Sequence, residues 1–179
     1  MPEAVSEARQ IKESTIRIMR GDITDLEIDA FVFYAIENLA LGSGFGTAIS
    51  VRGGPAIEKE LKDLAPVTVG DAVVTSAGKM KAKRIIHAVG PKFQEEDTEG
   101  KLRTTVLNSL KQADEKGIER VAFPAMGTGF YGIPIDLCAR VMLETIKAYL
   151  EEKTGIKEVV ICVIDSHELG SFKKQLAAT

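Results

Sequence analysis

Polar and apolar residues follow two rhythms along this chain. Thr15-Ile16-Arg17-Ile18-Met19-Arg20 alternates, which predicts a strand. Ile28-Asp29-Ala30-Phe31-Val32-Phe33-Tyr34 is nearly all apolar, as in a strand covered on both faces. Further strands are expected at 67–76, broken by Gly70-Asp71, and at 84–89, 120–124 and 158–164. The helical rhythm appears at 55–64, where Pro55 suits a first turn. Leu102, Val106, Leu110 and Ala113 mark one helical face, closed by Gly117. Ile135, Cys138, Met142 and Tyr149 line a longer helix from Pro134 to about residue 153. A terminal helix is expected over 167–177, a short one at 47–49, and a polar loop over 93–100. Residues 1–14 are polar and read as a mobile extension or a short helix.

Helices and strands alternate from residue 15 onward. That order predicts a three-layer α/β/α sandwich with a mixed, largely parallel central sheet. With no repeat and no linker in view, residues 15–179 read as one domain behind an extension at 1–14. In such sheets ligands sit beyond the carboxyl ends of the strands.

Two of the apolar strands run into glycine-rich turns. The first turn is Leu41-Gly42-Ser43-Gly44-Phe45-Gly46, leading into Thr47-Ala48-Ile49. The second is Gly127-Thr128-Gly129-Phe130-Tyr131-Gly132, with Pro134 opening the next helix. Glycine lets a backbone come close to a ligand, and the first N–H groups of a helix point out of its start. Strand, glycine turn and helix together make a seat for an anion, most often a phosphate. Two such seats on one edge point to a diphosphate. The second turn also spells G-x-G-x-x-G, but the dinucleotide fingerprint needs an acidic residue at the end of the next strand. Glu151 and Glu152 lie at about the right distance but fall at a helix end.

Composition narrows the classes. The chain has 179 residues, 45% hydrophobic and 27% charged, enough for one domain with a core. A net charge of −3 argues against a nucleic-acid partner, which calls for a basic face. No apolar run approaches the ~20 residues of a membrane span, and residues 1–14 lack the apolar stretch of a secretory signal. A cytoplasmic location is therefore expected. Cys138 and Cys162 sit in apolar patterns and read as buried free thiols. With two histidines and two cysteines far apart, no metal motif is present, and no cofactor is expected. His87, alone in an apolar strand, reads as a hydrogen-bonded core residue; His167, opening the last helix, reads as surface.

Taken in order, these motifs resemble the macro domain, an ADP-ribose-binding module. Gly21-Asp22-Ile23-Thr24 followed by Ile28-Asp29-Ala30-Phe31-Val32 is similar to the family's opening "GDIT…VDAIV". Residues 41–49 resemble its first phosphate loop, and Gly70-Asp71-Ala72-Val73-Val74-Thr75 its "GEAVxT" strand. Ile85-Ile86-His87-Ala88-Val89-Gly90-Pro91 resembles "VIHxVGP", and Ala122-Phe123-Pro124-Ala125-Met126-Gly127-Thr128-Gly129 resembles "AFPxxGTG". The resemblance covers nearly the whole chain after Thr15. It implies that Asp22 accepts a hydrogen bond from the adenine amino group, beside the Ile23 backbone. It implies that residues Gly42, Ser43, Gly44, Phe45 and Gly46 hold one side of the diphosphate and distal ribose. Gly127, Thr128, Gly129, Phe130, Tyr131 and Gly132 would hold the other, and Ile164 would take the place of the aromatic residue that lies against adenine. Without the resemblance, Asp22 would read as a turn residue and Tyr131 as a shield over the turn.

The chain departs from the family at the chemistry. The family's "NAAN" segment reads Phe33-Tyr34-Ala35-Ile36 here. In hydrolytic members the second asparagine orients the distal ribose and the attacking water, and Ile36 has no group to do so. Some hydrolytic members carry an aspartate where Gly46 stands. Another subclass uses a lysine in the asparagine segment and an aspartate after the second glycine turn, where this chain has Phe130-Tyr131. Loss of one positioning group costs roughly 10²- to 10³-fold in rate. The sequence leaves open whether the chain is an enzyme. The expectation is a binding module with little or no hydrolysis. One alternative is a hydrolase of ADP-ribose 1″-phosphate, O-acetyl-ADP-ribose or mono-ADP-ribosyl esters that uses a non-standard set such as Glu37, Asn38 or Tyr131. A second is a pocket remodelled by Phe33, Tyr34 and Ile36 for another nucleotide.

Overall fold

The computed structural model describes residues 5–42, 44–129 and 131–179. Seven strands form one sheet: β1 (Val5–Ile11), β2 (Ser14–Arg20), β3 (Ala30–Ala35), β4 (Ala72–Ser76), β5 (Arg84–Val89), β6 (Arg120–Phe123) and β7 (Glu158–Val163). Five helices accompany them: α1 (Phe45–Gly53), α2 (Pro55–Leu64), α3 (Thr98–Glu115), α4 (Ile135–Glu151) and α5 (Ser166–Ala178). The sheet order is β1-β2-β7-β6-β3-β5-β4. The five central strands are parallel and both edge strands run antiparallel, so the sheet is mixed, as the strand pattern predicts.

Strand alternation divides the core in two. Ile16, Ile18, Val32, Phe123, Ile161 and their neighbours pack under α3, α4 and α5. Phe31, Ile85, Ala122, Val160 and Cys162 face the other way, under α1 and α2. Apolar side chains on both faces of β3, β6 and β7 are the reason those strands read as unbroken apolar runs. Each helix offers its apolar stripe to one of these layers; α4 buries Cys138, Met142 and Ile146 on a single side.

Four expectations are corrected. Residues 5–11 are neither a mobile extension nor a helix but the edge strand β1, paired with β2 through a tight turn in which Lys12 has φ 53°. Its solvent-facing polar residues hid it, while Ile11 is buried and Arg9 Nη1 donates to the Leu176 carbonyl at 3.1 Å. Residues 67–71 are not strand, because Gly70 turns at φ 105° and its N–H bonds the Val89 carbonyl at 2.7 Å. The loop expected over 93–100 is shorter, since Asp97 caps α3 by accepting from the Gly100 N–H. The helix expected at 47–49 extends over Phe45–Gly53. Among the described residues, no helix is long and apolar enough to cross a membrane.

Candidate functional site

Because β3 and β6 are parallel neighbours, the turns that follow them open on the same edge of the sheet. Between them lies a cavity of about 720 Å³. The first turn contributes Gly44 and Phe45, and the second contributes Gly127, Thr128, Gly129, Tyr131 and Gly132. Ile23 comes from the short 3-10 turn after β2, and Ile164 from the end of β7. Ser43 and Phe130, both expected at the site, lie outside the described residues. Asp22, Gly42 and Gly46 do not line the cavity.

Two helices begin at this cavity without a side-chain cap. Gly44 precedes α1 in a conformation open to glycine, φ 63° and ψ −129°. Pro134 precedes α4 and likewise carries no side-chain cap bond. By contrast, α3 and α5 start with Asp97 and Asp165, each accepting from a first-turn N–H. Gly54, which starts α2, has no side-chain cap either, but it does not line the cavity. The cavity therefore receives the positive ends of α1 and α4, and no lysine or arginine lines it among the described residues.

Packing dictates the glycines around these turns. A Cβ at Gly46 would collide with the carbonyl of Leu41. An aspartate side chain is thus incompatible with the first turn as it stands. A Cβ at Gly127 would meet Ile133 Cδ1 at 2.6 Å and the Tyr34 ring at 3.1 Å, and φ there is +76°.

Asp22 acts locally in this structure. Its Oδ1 accepts from the Thr24 N–H at 2.9 Å and the Thr24 hydroxyl at 2.6 Å, and its Oδ2 lies 3.2 Å from Arg52 Nη1. Partial burial disfavours the charged form, but the Thr24 hydrogen bonds and the Arg52 cation outweigh it and hold the carboxyl below its usual range. Asp22 is therefore an ionised acceptor beside Ile23. Ile164 is 53% exposed and, like Ile23, gives the cavity an apolar lining.

The sequence reading missed the start of α5. Asp165, His167 and Glu168 all line the cavity. Glu168 is buried; Oε1 accepts from the Ile164 N–H and Oε2 from the Thr128 hydroxyl, both at 3.1 Å. One carboxylate thus ties Ile164 to the second glycine turn. The D-x-x-E spacing of Asp165 and Glu168 at a helix start was the signal that could have found it.

Glu37 and Asn38 are not at this cavity. They line a separate hollow of about 350 Å³ together with Ile36, Lys92 and Glu95. Asn38 Oδ1 accepts from the Ala40 N–H at 2.9 Å, a local turn bond. Of the replaced segment, Phe33 and Tyr34 both line the main cavity, from opposite faces of β3. His87 is buried behind Phe33, ring centroids 6.0 Å apart, with Nε2 2.9 Å from the Thr75 hydroxyl. Burial lowers its pKa to about 4, so it is neutral and part of the core. Cys138 and Cys162 are both buried, and burial pushes the Cys138 thiol up. Among the described residues no cluster of His, Cys, Asp and Glu could hold a metal ion.

The comparisons with known proteins converge on this architecture. The macro domain family model matches residues 35–142. This chain belongs to the macro domain family. The protein SSO2899 of Saccharolobus solfataricus is 43% identical over 162 residues, 88% of this macro domain and 90% of that protein. A macro domain-containing protein of Caldanaerobacter subterraneus subsp. tengcongensis, TTE0995, is 39% identical, covering 89% of this chain and 94% of its own. The Oceanobacillus iheyensis macrodomain solved with ADP superposes with a TM-score of 0.93 at 26% identity, covering 99% of this chain and 97% of that one. A mutant of that macrodomain solved with ADPR gives 0.91 at 26% identity over 96% and 97%.

Proposed function

We propose that this macro domain binds ADP-ribose or a related ADP-ribosyl derivative and turns it over slowly or not at all. One observation carries the reading: two uncapped helix starts, each behind a glycine turn, face one cavity. Such starts favour the charges of a diphosphate without any cationic side chain. At one end of the cavity, Ile164 and Ile23 offer an apolar surface for a base. Asp22, held ionised, offers an acceptor for an exocyclic amine beside them. The relatives solved with ADP and ADPR support the same ligand class.

Weak hydrolysis follows from the side chains available. Ile36 replaces a positioning group, Glu37 and Asn38 line a different hollow, and His87 is buried in the core. Among the described residues that line the main cavity, the candidate general bases are Asp165, His167 and Glu168 at the start of α5. Glu168 there is committed to two hydrogen bonds.

Isothermal titration with ADP-ribose, with AMP as the control, tests the binding. Saturable binding of ADP-ribose by the folded protein is expected, and its absence would remove the proposal. Incubation with ADP-ribose 1″-phosphate tests turnover: phosphate release is expected at the no-enzyme rate, and release well above it would establish the hydrolase reading instead.

A further inference from the structure

On one side the cavity stops short of β5. The carboxyl ends of the strands run in the order β2, β7, β6, β3, β5. The main cavity is lined from the ends of the first four, through Ile23, Ile164, Ala125 and Tyr34, but by no residue of 84–92. The end of β5, with Val89 and Gly90, opens instead on the second hollow. Tyr131 lines both spaces. Between them stands an edge-to-face pair, Tyr34 and Tyr131, with ring centroids 5.1 Å apart at 62°.

This partition is anchored on several sides. The Tyr34 hydroxyl donates to the carbonyl of Pro91, just past β5. Its ring occupies the room left by two glycines: a Cβ at Gly90 would collide with it, and one at Gly127 would lie 3.1 Å away. The Tyr131 carbonyl accepts from the Phe93 N–H at 2.9 Å, so the loop after β5 holds both halves. A ring packed this closely and bonded at its tip does not swing aside without breaking those contacts.

We infer that Tyr34 sets the specificity of the site by ending it after the diphosphate, so that the protein reads the ADP half of its ligand and leaves the group beyond the β-phosphate outside. The inference rests on the binding reading above. A ligand with its base on the Ile23–Ile164 side and its phosphates between the two turns meets the tyrosine pair next. A following sugar has to bend out toward solvent, where its hydroxyls keep their water and gain nothing from the protein.

The test compares ADP with ADP-ribose by titration calorimetry on the full chain. For the unaltered protein the two dissociation constants are expected within about threefold of each other. In Tyr34→Ala the partition opens toward the second hollow, and the ratio is expected to move at least about tenfold in favour of ADP-ribose, the size of one or two new hydrogen bonds. Tyr34→Leu keeps apolar bulk in the core but cannot reach Pro91, so it should shift the ratio the same way by less. It also serves as the readout if thermal melting shows the alanine variant unfolded. A tenfold or greater preference for ADP-ribose in the unaltered protein would overturn the inference and leave the binding reading standing. A ratio near one that stays put in both folded variants would overturn the role of Tyr34. Failure of the folded protein to bind either ligand would instead remove the binding reading itself.

Discussion

The two halves of the cleft are built on opposite plans. Over β2, β7 and β6 the wall is sparse: a half-exposed Ile164, Ile23 with the ionised Asp22 next to it in the chain, and glycines 127, 129 and 132. Over β3 and β5 the space is filled by aromatic rings, Tyr34 against Tyr131 on one face and Phe33 against His87 on the other. The open half offers helix dipoles and apolar surface, with Asp165 and Glu168 also in its lining, and it suits the charged, planar ligand proposed above. The filled half offers bulk, and in the proposal above that bulk sets where the ligand stops. A chain that keeps both glycine turns while carrying Phe33-Tyr34-Ala35-Ile36 in place of the asparagine segment is, on that proposal, one in which recognition is kept and the boundary changed.

The largest effect is expected at the turn both halves share. Gly46→Ala puts a Cβ into the Leu41 carbonyl, and the first turn has to move. A loss of ~3 kcal/mol or more in stability is expected, with ligand binding lost as well. Thermal melting and titration with ADP would check both, and a normal melt with normal binding would show that the turn tolerates the shift.

The filled half predicts a pH dependence of stability. His87 is neutral in the folded protein, with a pKa of about 4 against an ordinary 6.5. The unfolded chain therefore takes up the proton first as pH falls. The full contribution is present above pH ~6.5, is lost progressively between ~6.5 and ~4, and amounts to about 3 kcal/mol at most. Denaturant unfolding of the protein and of His87→Leu across that window isolates it. The difference between the two should narrow as pH is lowered, and a constant difference would contradict the assignment.

In the open half, Asp22→Ala removes the acceptor beside Ile23 and frees Arg52. Binding of ADP is expected to weaken about ten- to hundredfold, from the loss of a hydrogen bond to a charged group. Unchanged affinity would mean that Asp22 serves only the turn it caps. The smallest effect is expected from Ile164→Phe, which lays a ring where the aliphatic side chain stands. A gain of about 0.5–1.5 kcal/mol, up to about tenfold in affinity, should appear for adenine nucleotides and not for inorganic phosphate.

Much of the architecture was legible in the sequence because it depends on near neighbours. Period-two and period-3.6 runs name strands and helices whatever the chain does elsewhere. Glycine clusters name the turns because a backbone at φ 63° and ψ −129°, or one pressed against a carbonyl, calls for glycine, as at Gly44 and Gly46. The central apolar strands named a sheet covered on both faces, and the order of the motifs named the family.

What the sequence left undecided depended on which strand ends meet. Alternation along β3 puts Phe33 and Tyr34 on opposite faces, but only the strand order puts Tyr34 beside Gly90, Pro91 and Tyr131. Arg52 finds Asp22 across 30 residues, and Glu168 finds Thr128 across 40. Even β1 became a strand only because β2 offered it an edge and α5 a carbonyl for Arg9. The sequence by itself determined most elements from residue 15 onward, the glycine turns and the family. The tertiary structure decided which side chains share the cavity, because that is a matter of distance between strand ends and not of spacing along the chain.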